Sequence, residues 1–151
     1  MRTDNVKRQG FTLVEQLAVL VLTAVVLAAG IPHVIAQRDA AAVRQAIVSV
    51  RGAFGTARDH AIASGARTAV RFARESGASG AFSGTVVVHA SSDTMHRLPL
   101  GALLGVTLVA SRDSMTYLPS GLGVGAANLS VTIARGRFAD TLTVSRLGRV
   151  R

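Results

Sequence analysis

The first clear pattern along the chain is an apolar run near the N-terminus. Positions 17–31 read LAVLVLTAVVLAAGI, and no charged residue occurs within 16–37. With its flanking residues the run approaches the roughly 20 residues that a helix needs to cross a bilayer. Arg2, Lys7 and Arg8 precede the run, so the positive-inside rule places the N-terminus in the cytoplasm and the rest of the chain outside.

The next segment keeps a helical period but becomes amphipathic. Within 39–62 the apolar residues recur at steps of three and four and form one stripe: Val43, Ile47, Val50, Phe54, Ala57 and Ala61. Gly65 follows as a natural helix stop. We expect one long helix, with 11–37 as its membrane half and 38–64 as an amphipathic half, and with a bend at Pro32.

After Gly65 the period changes to the alternation that is typical of strands. Short β-branched runs occupy residues 68–73, 85–89, 106–109, 129–133 and 140–147, separated by Gly/Ser-rich breaks at 75–80, 91–93 and 119–125. Five or six such strands predict a small antiparallel sheet within 65–151. The apolar stripe of the helix would close it, because a sheet face has to be buried against another layer. The predicted fold class is α+β.

Composition limits the chemistry of this domain. The 151 residues include no cysteine, which excludes disulfides, thiolate metal sites and cysteine nucleophiles. The four histidines are scattered without metal-ligand spacing, and no catalytic constellation stands out. We therefore expect no enzyme activity, no metal and no cofactor.

The net charge is +9, and beyond residue 10 every basic residue is an arginine. A basic domain favours an anionic partner such as nucleic acid or lipid headgroups. A high-GC genome would also replace lysine with arginine, and we favour that explanation for the composition. Three arginines form a row at steps of seven on the helix, which we interpret as a solvated face or a subunit contact, with a nucleic-acid stripe as the alternative: Arg44, Arg51 and Arg58.

A carboxylate just before the apolar run is the most specific feature of the N-terminal end. Glu15 stands where a charge is costly to insert, and such groups usually have a functional partner. A secretory signal cleaved after Ala36 is the alternative interpretation, but it needs no acid at that place. The sequence GFTLVE at 10–15, between a short basic leader and the apolar run, resembles the prepilin processing motif of type IV pilins and type II secretion pseudopilins.

This resemblance implies roles for individual residues. A membrane peptidase would cut between Gly10 and Phe11, removing the leader at 1–10, and Phe11 would be N-methylated. Glu15 would pair with the N-terminal ammonium of a neighbouring subunit, an attraction that a low dielectric strengthens. Pro32 stands where many pilins carry a helix-kinking proline. The expected location is the inner membrane, crossed once, and then a pilus or periplasmic pseudopilus, with pilin subunits and the prepilin peptidase as partners.

A second resemblance covers the C-terminal part of the chain. MTYLPSG at 115–121 and LTVSRLGRVR at 142–151 are similar to the GspH/FimT branch of minor pilins and pseudopilins, with matches at Tyr117, Pro119, Gly121, Ser145, Gly148 and Arg149. FimT-like minor pilins are associated with DNA binding and uptake through a C-terminal Gly-Arg-x-Arg motif, here at 148–151. Pseudopilins share the Gly-Arg pair, so a GspH-like assembly subunit of a type II secretion system is the alternative.

The C-terminal residues suit contacts with phosphates. Arg149 and Arg151 are two apart and would point to the same face of a strand, and Gly148 would permit the turn that presents them. We therefore expect double-stranded DNA, bound without sequence preference, as a partner. Because the chain ends at Arg151, we expect the motif to fray beside the terminal carboxylate. Three nearby arginines are expected to extend the same cluster: Arg135, Arg137 and Arg146.

Overall fold

The computed structural model describes residues 11–74, 82–90, 93–125 and 127–151, and its contacts divide the chain into the units Met1–Ile35 and Ala36–Arg151. The leader at 1–10 and the predicted break at 75–80 lie outside the described residues. One helix, α1 at Leu13–Ser64, supplies residues to both units. It ends before Gly65, as predicted. The helix continues on both sides of Pro32, so Pro32 does not end it, and the kink there stays a prediction.

In the first unit every described residue, from 11 to 35, is exposed. An 18-residue window near the N-terminus of α1 has a mean hydropathy of 2.4, and α1 is the one described helix that is long and apolar enough to cross a membrane. An apolar helix surface of this extent requires lipid or other protein to cover it.

The second unit combines the rest of α1 with a sheet that has eight strands among the described residues. The strands are β1 Thr68–Arg74, β2 Phe82–Ala90, β3 Asp93–Pro99, β4 Thr107–Ala110, β5 Ser114–Tyr117, β6 Gly123–Val124, β7 Leu129–Arg135 and β8 Phe138–Val144, with a short helix, α2 at Leu100–Leu104, between β3 and β4. The pairings are antiparallel in the order β6-β5-β1-β2-β4-β7-β8, and β3 also pairs with β2. The predicted α+β class is confirmed.

One face of the sheet packs on α1 and forms the core. The predicted helix stripe is confirmed, since five of its six residues are buried and Ile47 is half-buried against the core. Phe54 of the helix meets Phe72 of β1, with 6.3 Å between ring centres and 52° between ring planes, a favourable tilted aromatic pair. The buried stripe is wider than predicted, because small residues on the flank of the helix are also covered by the sheet: Ala42, Ala46 and Ala53.

The strand predictions need two corrections. β3, β5, β6 and α2 were not predicted; β3 is exposed at 93–97 and so has no apolar alternation to detect. The strand predicted at 140–147 instead spans Phe138–Val144. Leu142 and Val144 are buried in alternation, but Leu147 is exposed and breaks that period, because the chain has already turned.

Candidate functional site

The chain reverses direction directly after β8. The amide of Gly148 donates to the carbonyl of Ser145 at 2.8 Å, and the amide of Ser145 donates to the carbonyl of Arg149 at 2.8 Å. These bonds define a three-residue hairpin loop that ends in a left-handed residue. Gly148 has a φ of 84°, and an added Cβ would lie 2.4 Å from Cε1 of Tyr117. The turn therefore requires glycine for both its backbone conformation and its space.

The last three residues lie along the outer edge of β8 and pair with it through an isolated β-bridge, and we call this extended segment the C-terminal strand. Arg151 and Thr143 exchange both backbone hydrogen bonds, at 2.8 and 3.1 Å, and Val150 bridges Val144. Val150 packs against the core, while Arg149 and Arg151 on either side of it are exposed. The fraying expected at Arg151 is thus wrong, because its backbone is paired with β8.

The two C-terminal segments that carry the family resemblance are in contact. The hydroxyl of Tyr117 on β5 donates to the carbonyl of Gly148 at 3.1 Å, and the amide of Gly123 on β6 donates to the carbonyl of Leu147 at 3.1 Å. β5 and β6 stand at one end of the strand order and β8 at the other. The C-terminal turn therefore joins the two ends of the sheet.

Tyr117 is well suited to hold this turn as a hydrogen-bond donor. Burial raises the pKa of Tyr117 to about 12, and the positive charge of Arg58 opposes part of that rise. The phenol is consequently protonated throughout the physiological pH range and keeps its bond to Gly148.

A groove of about 420 Å³ opens beside the C-terminal turn. One side is the C-terminal strand, and the other is the exposed face of α1. No acidic side chain is among the described residues around it, and within the described part of the chain its arginines have no ion pair. The lining residues are Arg51, Phe54, Gly55, Arg58, Tyr117, Gly148, Arg149, Val150 and Arg151.

This groove brings together two features that the sequence presents separately. Arg51 and Arg58 belong to the helix row, and Arg149 and Arg151 belong to the C-terminal motif. Nothing in the local sequence signals their meeting, since it depends on how the sheet packs on α1. Arg44, the third member of the row, lines a different groove that also includes Asp140.

The single cluster of five C-terminal arginines predicted from the sequence is wrong. Arg135 and Arg137 flank the turn between β7 and β8, whereas Arg151 pairs with Thr143. Five residues of extended chain separate Phe138, the partner of Arg135, from Thr143, which is roughly 16 Å.

The arginines at the β7–β8 turn also have intramolecular contacts. The Nε atom of Arg135 lies 2.8 Å from Oδ1 of Asp39, and its Nη1 donates to the carbonyl of Leu104. The guanidinium of Arg137 lies 5.2 Å from the ring centre of Phe138. Arg146, by contrast, is exposed within the C-terminal turn, and its backbone amide donates to Oδ1 of Asn128 at 3.0 Å.

At the N-terminal end, Phe11 and Glu15 are exposed, and Gly10 lies outside the described residues. The hydroxyl of Thr12 accepts a hydrogen bond from the amide of Glu15 at 3.3 Å, so Thr12 is the N-cap of α1. Thr12-x-x-Glu15 is also the sequence pattern of a capping box, a signal that sequence reasoning missed. Glu15 therefore has a local structural role available besides an intersubunit one.

Comparisons with known proteins bear on the N-terminal motif and on the fold. Residues 5–31 match the model of the prokaryotic N-terminal methylation motif. The fold is similar to the Pseudomonas aeruginosa type IV minor pilin FimU in two crystal forms. In one the identity is 14% and the TM-score 0.56, over 72% of this chain and 90% of that chain. In the other the identity is 13% and the TM-score 0.58, over 72% of this chain and 86% of that chain. No curated protein sequence matches the chain.

The motif implies prepilin processing and assembly with other pilin subunits, and the exposed apolar part of α1 fits anchoring in the inner membrane. The likeness to FimU covers a larger share of the chain than the motif does. Together these comparisons show that the chain carries the N-terminal methylation motif of prepilin-like proteins and has a fold similar to that of a type IV minor pilin.

Proposed function

We propose that this minor pilin-like protein binds extracellular double-stranded DNA for uptake, through the phosphate backbone and with Arg149 and Arg151 as the main contacts. The observation that carries the proposal is the ordered C-terminal strand. It is paired with β8 and anchored by Val150, and it leaves both arginines exposed. Arg146, exposed in the adjoining turn, is the nearest further contact along the chain.

Arginine suits this role because its planar guanidinium donates two hydrogen bonds to one phosphate. Contacts of this kind position a protein on DNA without reading the bases. With about three to five phosphate contacts, we expect a dissociation constant in the micromolar range or weaker and a log–log salt slope of roughly −3 to −4. Several copies in one filament would raise the effective affinity.

The test is fluorescence anisotropy of labelled duplex DNA with the full chain in a non-ionic detergent, at several salt concentrations. We expect Arg149→Ala/Arg151→Ala to weaken binding and to reduce the size of the salt slope by about 2. Thermal melts of each variant check that the exposed substitutions leave the fold intact.

Arg135→Ala/Arg137→Ala is the matched control, because it removes the same charge from the other end of the β7–β8 hairpin. If both double variants weakened DNA binding equally, the binding would depend only on the net charge of the protein. Absence of wild-type binding at low salt would reject DNA as the partner. The alternative, a GspH-like pseudopilin with an assembly role, would then stand.

We further propose the usual prepilin maturation for the N-terminal end, supported by the methylation motif across 5–31. The peptidase would cut between Gly10 and Phe11, Phe11 would gain a methyl group, and Glu15 would pair with the N-terminal ammonium of a neighbouring subunit. Intact-mass analysis of the protein from membranes should give a chain that begins at Phe11 with one added methyl group. A chain that begins after Ala36 would instead identify a cleaved secretory signal.

A further inference from the structure

We infer that Arg51 and Arg58 of α1 complete the phosphate-binding site, so that the DNA backbone lies in the groove between α1 and the C-terminal strand. This inference rests on the proposed function and extends it from the C-terminal motif to the helix. Arg51, Arg58, Arg149 and Arg151 line the groove together, with no acidic side chain among the described residues around it. Four guanidinium groups outweigh the single anion at the groove, the terminal carboxylate of Arg151, so the groove is electrostatically complementary to a polyanion.

The spacing of the helix arginines suits an extended phosphodiester strand. Arg51 and Arg58 are seven residues apart and share one face of α1, at about 10.5 Å along its axis. One strand of B-DNA carries a charge about every 3.4 Å along the DNA axis, and its neighbouring phosphates lie farther apart than this because the strand winds around that axis. Two arginines about 10.5 Å apart can therefore reach two phosphates of one strand. A backbone that follows the helix could therefore contact both arginines without being bent.

Gly55 gives the groove its open centre. It lies between the two arginines on the same helix face, it lines the groove, and it is exposed. A Cβ built there meets nothing within 4 Å. A side chain at position 55 would thus fill the groove without altering charge. Gly52 offers the same free space one turn earlier, but it does not line the groove.

The experiment is the same anisotropy assay on the full chain in a non-ionic detergent. We expect Arg51→Ala/Arg58→Ala to weaken duplex binding roughly tenfold near 0.1 M salt and to reduce the salt slope by about 2. Arg44→Ala/Arg97→Ala removes two exposed arginines that do not line the groove, and it should have a much smaller effect.

A second pair of variants separates the groove from the general field of the protein. Gly55→Leu should weaken binding by obstruction, whereas Gly52→Leu, with the same change in helix composition, should bind as the wild type does. Thermal melts confirm folding of all four variants.

The outcomes distinguish this inference from the proposed function. If Arg149→Ala/Arg151→Ala weakens binding while the Arg51/Arg58 and Gly55 variants behave like their controls, the C-terminal site stands and the groove is rejected. If the wild-type chain does not bind duplex DNA, both proposals are rejected. If Arg44→Ala/Arg97→Ala weakens binding as much as Arg51→Ala/Arg58→Ala, the groove is rejected, and the binding is explained by general electrostatic attraction between the basic protein and DNA.

Discussion

At both ends of the β7–β8 hairpin, arginines lie beside a glycine in the left-handed conformation. The two ends differ in whether the arginine has a carboxylate partner. At the turn between the strands, next to Gly136 with a φ of 56°, Arg135 is paired with Asp39. At the C-terminal end, next to Gly148 with a φ of 84°, Arg149 is exposed and has no ion pair within the described residues. An arginine that has a carboxylate partner supports the fold, and one without is available to a phosphate. The number of arginines in a segment is therefore a poor measure of its binding capacity.

The largest expected effect comes from a substitution in the C-terminal turn. Gly148→Ala would force a side chain into the left-handed region and against the buried Tyr117 ring, which we expect to lower the free energy of unfolding by roughly 2 to 4 kcal/mol. The Cβ of Gly136→Ala would instead meet Oδ2 of Asp39 at 2.6 Å, the end of a side chain that can turn away. Chemical denaturation of both variants measures the difference, and equal losses would contradict it.

The second expected effect is a pH dependence of stability that arises from Tyr117, which holds the C-terminal turn. Tyr117 has a pKa of about 12 in the folded chain against about 10 when unfolded. Between these values the unfolded state loses the proton first, so stability falls as pH rises, by up to about 1.4 kcal/mol per pH unit. Denaturation at pH 9 to 12, compared with Tyr117→Phe, isolates this contribution. A variant with the same pH dependence as the wild type would show that Tyr117 is not its source.

A third pair of variants tests whether the arginine at one end supports stability and the arginine at the other end supports DNA binding. Arg135→Ala should lower the free energy of unfolding by up to about 1 kcal/mol, because it removes a partly exposed ion pair, and should leave DNA affinity nearly unchanged. Arg149→Ala should weaken DNA binding and leave the melting temperature nearly unchanged. Thermal melts and anisotropy on both variants measure the melting temperature and the affinity for DNA. A variant that lowered both the melting temperature and the affinity would contradict this division of roles.

The smallest effect should come from releasing Arg135. Asp39→Asn removes the carboxylate that holds it, so stability should fall by less than about 1 kcal/mol while affinity for duplex DNA rises roughly twofold. Arg135→Ala/Asp39→Asn is the control, since it removes both the carboxylate and the arginine that the carboxylate holds. The gain in affinity must disappear in that double variant if the released guanidinium is its cause.

Much of the fold could be predicted because its signals are local. The stripe from Val43 to Ala61 repeats within a few residues, Gly65 follows the last turn, and the alternation of β7 lies within seven residues. β3 escaped prediction because an exposed strand carries no apolar period, and α2 and β6 are too short to carry a clear one. The GFTLVE motif and the Gly-Arg-x-Arg ending were readable for the same reason: each lies within six residues of sequence.

The sequence by itself thus determined the long helix, its buried face, the α+β class and the identity of the C-terminal motif. Only the tertiary structure decided which arginines act together. Asp39 neutralises Arg135, and Arg51 and Arg58 come beside Arg149 and Arg151, because the sheet packs on α1 and its two ends meet at the C-terminal turn. Such contacts join residues far apart in the chain, and their charges interact through the distances that packing sets rather than through any spacing along the sequence.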